Sequence, residues 1–247
     1  MKRRLVLALL FAGLLASCSR DGPPPERGPA TPIDAATAGA IQGVVAFVGT
    51  PPPSTSLSIQ GDPACSAAHP GAADAGDVLV HEGKLENAFV YVEKGLEGRV
   101  FERPVQAALL DQQGCLFAPR IAGVQTGQPI EFVNSDATLH NVHTQPQASH
   151  GVNFGLAQRG ARRAIHINAP EVMVTVRCDV HPWMRAFVGV LDHPYFGVTG
   201  DDGSFRFEHV PAGTYTLSSW HERLGKKSET VTVAAGEPAA TDLRYEK

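Results

Sequence analysis

Cys178-Asp179-Val180-His181-Pro182-Trp183-Met184 decides how this chain is read. A thiol, an imidazole and a thioether follow one another at three-residue intervals. They sit on a short loop between two strand-like segments, Glu171 to Arg177 and Ala186 to Leu191. Within the first, Val172, Val174 and Val176 share a face by the period-two rule of strands, and Cys178 keeps their parity. The thiol is therefore expected to enter a domain interior beside the valines. Upstream, the strand-like Pro129 to Val133 runs into Asn134-Ser135-Asp136-Ala137-Thr138-Leu139-His140-Asn141-Val142-His143, which supplies further imidazoles.

Thiolate and thioether are soft ligands that select copper, and two His, one Cys and a weak axial Met form the blue-copper set. The two stretches together resemble the cupredoxin (plastocyanin-like) family. Asn134, Asp136, His140, Asn141 and Val142 match its first ligand run, and Cys178, His181 and Met184 match its ligand loop, with amicyanin-like spacing. The resemblance implies one type 1 copper on His140, Cys178, His181 and Met184. Asn134, Asp136 and Asn141 would support the ligands, with Asn141 tying the two loops together. In that family the loop His exposes its ring edge, so His181 would be the electron's doorway, flanked by a docking patch of Pro182 and Trp183.

Plainer readings stand beside these. A buried free Cys and a Met as core filler are common in domain interiors, and Pro182 and Trp183 can serve loop packing alone. His143 lies three residues from His140, so on a strand it faces the other way, whereas a loop would let it share the metal. His69, His81, His150 and His166 read as surface or satisfied histidines. His193 and His221 leave open a second metal site or a contact with the copper face.

The first residues read as a targeting segment. Lys2, Arg3 and Arg4 precede an apolar run, Leu5 to Leu15, too short to span a membrane. Leu15-Ala16-Ser17-Cys18 looks like a bacterial lipobox, which implies removal of residues 1–17 and acylation of Cys18. A plain signal peptide is the alternative. Ser19 rather than Asp after the Cys favours the outer membrane, with the folded part facing the periplasm. Residues 18–40 are rich in Pro, Gly, Ala and Thr and are expected to be a disordered tether. Losing Lys2, Arg3 and Arg4 takes the formal charge from −4 to −7, and the absence of a basic cluster argues against nucleic acid.

If Cys18 is acylated and Cys178 holds metal, Cys65 and Cys115 remain in an oxidising compartment, and a disulfide between them is the economical outcome. The alternative pairs Cys178 with one of them and leaves no copper site.

Frequent Gly and Pro, short alternating runs and little helical periodicity give an all-β chain. Gly203, Phe205, Pro211, Gly213, Tyr215 and Leu217 in the tail resemble the second half of the carboxypeptidase regulatory-like (prealbumin-like) β-sandwich. Ile41, Gly43 and Val45 resemble its opening. Asp202-Gly203 in the tail reads as a hairpin turn. The expected layout is one sandwich from 41–98 and 193–247, with a cupredoxin Greek-key unit, 103–191, inserted; two sequential domains are the alternative.

The leading functional expectation is a non-enzymatic, membrane-tethered electron carrier. Proteins of this kind carry a methylamine-utilisation-like label, which implies a dehydrogenase partner; a cytochrome is the other candidate. No nucleophile elbow, Walker loop or H-E-x-x-H run occurs, and too few His pairs are present for multicopper oxidase or nitrite reductase chemistry. A copper chaperone or store is a second reading, weakened by only 3 Met. A structural or ligand-binding lipoprotein with a non-functional copper site is the third.

Overall fold

Apolar runs that alternate every second residue can bury one face only by pairing edge to edge and stacking sheets. This chain does so twice. A computed structural model describes residues 23–246; the targeting segment and Cys18 lie outside them. Among the described residues the architecture is all β, apart from one short helix, Pro63–Ala68.

Strands between 108 and 191 form one sandwich. Its first sheet runs Arg162–His166, Pro129–Asn134, Ala108–Gln113, Leu116–Ala118. Its second runs Asn153–Leu156, His140–Gln145, Glu171–Arg177, Arg185–Leu191, Ile121–Gln125. Leu110, Ile130, Phe132, Val142, Val174 and Val188 fill the space between them.

Strands from the two ends of the chain build the other sandwich. Gly39–Val48 pairs antiparallel with Ser204–Val210 and parallel with Leu243–Glu246. Phe89–Lys94 lies between Phe196–Val198 and Gly213–His221. The 108–191 sandwich is therefore an excursion from within this outer one.

A third apolar cluster, including Phe89, Tyr91, Ile121, Leu191, Phe187 and Phe196, joins the two. Glycine makes the approach close enough. A Cβ on Gly189 would lie 2.3 Å from the Phe89 ring, and one on Gly123 would lie 2.5 Å from Phe196. Beside this cluster, Arg120 donates to both carboxylate oxygens of Glu222, at 2.5 and 2.7 Å, across the junction.

Four expectations need correction. Val174, Val176 and Cys178 are buried together, but the register shifts between Glu171 and Val174, and Val172 packs into the inter-sandwich cluster instead. Asp202-Gly203 is no hairpin turn: Phe196–Val198 pairs with Phe89–Lys94 and Ser204–Val210 with Gly39–Val48, so the chain crosses between sheets there. The Asp111-Gln112-Gln113-Gly114 run has the composition of a turn, yet Asp111 to Gln113 continue their strand, and the chain reverses at Gly114 and Cys115, both at positive φ.

Finally, the part of the expected tether that is described does not hang free. Arg27 donates to Phe101 O, Gln125 Oε1 and Thr126 O at 3.1–3.2 Å, and Thr31 exchanges two hydrogen bonds with Val100. A Pro- and Gly-rich composition forbids a core of its own; it does not forbid docking through side chains and backbone.

Candidate metal centre

His140 opens the strand His140–Gln145, and Cys178 follows the last residue of Glu171–Arg177, its antiparallel neighbour. Neighbouring strand ends thus bring the two motifs to one edge of the sandwich. The loop from Cys178 closes on itself: Met184 N donates to His181 O at 3.0 Å, and Cys178 N to Met184 O at 3.3 Å. The Cys178 sulfur accepts from two backbone amides, His181 N at 3.4 Å and Asn141 N at 3.5 Å.

The ligand atoms converge. His140 Nδ1 lies 2.9 Å from His181 Nδ1, and Cys178 Sγ lies 3.9 Å from His181 Nδ1. All three ligand atoms lie within 4.8 Å of one another. His140, Cys178, His181 and Met184 are 0, 1, 2 and 0 % exposed, so all four side chains lie in the interior. Thiolate, two imidazoles and a buried thioether suit copper.

Carboxylates behind the rings orient them. His140 Nε2 lies 2.9 Å from Asp136 Oδ2, and His181 Nε2 lies 3.4 Å from Asp62 Oδ2. A proton kept on each Nε2 leaves each Nδ1 lone pair pointing inward, the arrangement by which outer carboxylates set a metal-binding tautomer.

Asp136 also accepts from the amides of Gly114 and Cys115, at 2.8 and 2.7 Å. Asn134 accepts from Asp136 N and donates to Thr138 O and Leu156 O, which shapes the run before His140. Asn141 joins the loops, accepting from Asp179 N at 2.6 Å.

The protonation balance follows from this crowding. Burial pushes the Cys178 thiol up, but the His140 hydrogen bond and nearby backbone amides outweigh it and bring it below its usual value. Burial likewise works against a charged His140, yet Cys178 and Asp136 together raise it. Burial lowers His181, and the neighbouring His140 adds to the effect against the pull of Asp62. A thiol biased toward thiolate is a ready metal ligand.

His181 departs from the expected doorway. Although it sits on a surface loop, its ring is covered by a segment of the outer sandwich. Cys65 Sγ lies 3.6 Å from His181 Nε2, and Cys65 is bonded to Cys115 in a disulfide. The covering helix, Pro63–Ala68, is capped by Asp62, whose Oδ1 accepts from Ala64 N and Cys65 N. Thr138 donates to the other oxygen at 2.6 Å and does most to hold the Asp62 carboxyl down at about 2, with the capping amides and His181 adding to it against burial, which raises it.

Sequence reasoning missed Asp62, Thr138 and this cover. The Cys65–Cys115 pairing was legible, but its position against His181 was not. Trp183 tilts against the His181 ring, with centroids 5.1 Å apart, and donates from Nε1 to Cys115 O. Pro182 is exposed and Trp183 half-buried.

His143 points elsewhere, pairing with Asp179 at 3.0 Å beside Arg177. His69 bonds Gly114 O, His81 bonds Glu86 and His166 bonds Gly127 O. His193 and His221 are held in the outer sandwich by local hydrogen bonds to Tyr195 N and Arg223 N, and neither joins a potential metal-binding group among the described residues.

The family described as polysaccharide lyase family 4, domain II (fn3_3) matches residues 162–241, a stretch that begins in the inserted sandwich and ends in the outer one. Comparison with curated proteins finds no match. Among solved structures, the chain is similar to the Cu-containing nitrite reductase (NirK) from Thermus scotoductus SA-01. That match has 20% identity over 41% of this chain and 25% of that one, with TM-score 0.34, so this chain spans a quarter of that enzyme. It is similar to a Cu(I) variant of amicyanin at 19% identity, covering 36% of this chain and 86% of that one, with TM-score 0.31. A purple cupredoxin from Nitrosopumilus maritimus matches at 19% identity, over 34% of this chain and 98% of that one, with TM-score 0.29.

Proposed function

We propose that this protein carries single electrons through one type 1 copper held by His140, Cys178, His181 and Met184. The observation that carries the reading is the convergence of two inward Nδ1 atoms and a thiol, with a carboxylate behind each imidazole. Bound there, copper would supply the one-electron couple. The chain's own residues fix the donors: the amides of Asn141 and His181 on the sulfur, Asp136 and Asp62 on the rings, and apolar strands that exclude water. A site held this firmly needs little reorganisation between oxidation states.

In this reading the mature chain begins at Cys18, is anchored by acyl chains to the outer membrane, faces the periplasm and serves a dehydrogenase or cytochrome. A copper store or chaperone fits less well, because all four donors are enclosed rather than exposed for handover.

The test is an optical titration of the form starting at Ser19 with Cu(II), keeping Cys178 reduced. One equivalent is expected to give an intense thiolate-to-copper band that reductant bleaches and Cys178→Ala abolishes. A colourless protein would refute the reading and favour a structural sandwich.

A further inference from the structure

Residues 54–77 leave the outer sandwich and return to it. Their base is fastened there: Asp77 accepts from Ser54 Oγ, Thr55 N and Arg223 Nη1 at 2.6–2.8 Å. Ser56–Leu57 pairs antiparallel with Ala73–Asp74, giving the excursion a two-stranded stem. Ile59 is part of the inserted sandwich's core, and Leu57 and Ala73 pack against it. At the tip, Asp62 and Cys65 cover His181, while His69 Nε2 reaches Gly114 O at 2.7 Å. The inserted sandwich supplies all four soft-metal donors, yet the outer wall of the site comes from the other sandwich.

We propose that residues 54–77 are a lid that closes the metal site, with Asp62 as a positioning residue for His181 and the Cys65–Cys115 disulfide as the pin. The remaining tip contacts that cross to the inserted sandwich are hydrogen bonds and apolar packing, which break in local opening. The disulfide does not break in that way. While it is intact, Cys65 stays within a bond's reach of Cys115 and the His181 ring stays covered. Cutting it is a two-electron step: a dithiol reductant becomes a disulfide, and its two electrons and two protons convert the Cys65–Cys115 bond into two thiols. The lid can then lift, and metal exchange, closed before, becomes open. Asp62 acts through the same segment, since its carboxylate both caps the lid helix and faces His181 Nε2.

This inference rests on the copper reading, and one experiment separates the two. The protein starting at Ser19 is loaded with one copper, reduced with ascorbate and challenged with excess bicinchoninate, whose Cu(I) complex reports release. Cys65→Ser/Cys115→Ser is expected to release copper about tenfold faster or more, corresponding to ~1.4 kcal/mol off the opening free energy. Wild type treated with a water-soluble phosphine until two further thiols are counted should match it, which covers the case where the double variant does not fold.

Asp62→Asn keeps a helix-capping oxygen but turns an amide toward His181. It should alter the thiolate-to-copper band and the copper hyperfine splitting with the disulfide intact. Equal release rates with the disulfide shown to be cut, or an unaltered spectrum in Asp62→Asn, overturn the lid. A wild type with no thiolate-to-copper band overturns the copper reading itself.

Discussion

Asn141 grips Asp179 from both ends: its side-chain oxygen accepts the Asp179 amide at 2.6 Å, and its Nδ2 donates to the Asp179 carboxylate at 3.2 Å. Asn141 follows His140 and Asp179 follows Cys178, so this pair sets the distance between the two loops that carry the proposed ligands. Asn141→Ala removes both bonds and leaves the two loops free to part. The expected result is a loss of copper affinity of about 10–100-fold with the thiolate band still present, as is typical of groups that orient ligands. Competition against a calibrated chelator measures it.

The convergence of His140, Cys178 and His181 was legible because its chemistry is local: donor types at short fixed spacings, next to strands with clear alternation. The cover over His181 was not, for a physical reason. Pro63–Ala68 is too short to show helical periodicity, and it lies between the turn-like Gln60-Gly61-Asp62 and His69-Pro70-Gly71. Nothing in residues 54–77 announces that they pack against a loop more than a hundred residues away. Val172 misled for a related reason, since strict alternation cannot see a register shift that turns one valine toward a second domain.

The junction of the sandwiches depends on missing side chains. A Cβ on Gly189 would stand 2.3 Å from a ring carbon of Phe89, itself fully buried and unable to retreat. Gly189→Ala is therefore expected to destabilise by about 1–3 kcal/mol, the usual cost of overpacking a core. Gly71→Ala, where no atom lies within 4 Å, should be near neutral. Chemical denaturation of the two variants gives the comparison.

Arg120 and Glu222 form a forked pair whose side chains are 16 and 9 % exposed. Breaking such a pair from one side strands the other charge in a poorly solvated place. Arg120→Ala is expected to cost about 3–5 kcal/mol, whereas Arg120→Met/Glu222→Leu should recover much of that loss. If the single and double variants unfold at the same denaturant concentration, the pair is solvated and contributes little.

The outer sandwich should also weaken in mild acid. His193 and His221 are both brought down to about 4, in each case chiefly by burial, which disfavours the charged ring. A hydrogen bond to Val92 opposes the shift at His193 and the charge of Asp77 opposes it at His221, but neither prevails.

Each ring also accepts a backbone N–H at Nδ1, from Tyr195 at 3.2 Å and from Arg223 at 3.3 Å, which a doubly protonated ring cannot do. In the unfolded chain both titrate near ~6.5. Between that value and about 4 the unfolded state binds more protons, so stability is fully present above ~6.5 and is lost as pH falls toward 4. The loss is on the order of 3 kcal/mol per histidine. Denaturation midpoints at pH 7.5, 6 and 4.5 should fall in that order for the metal-free protein. Replacing both residues with Gln should flatten the slope; a slope unchanged in that variant would mean that other groups carry it.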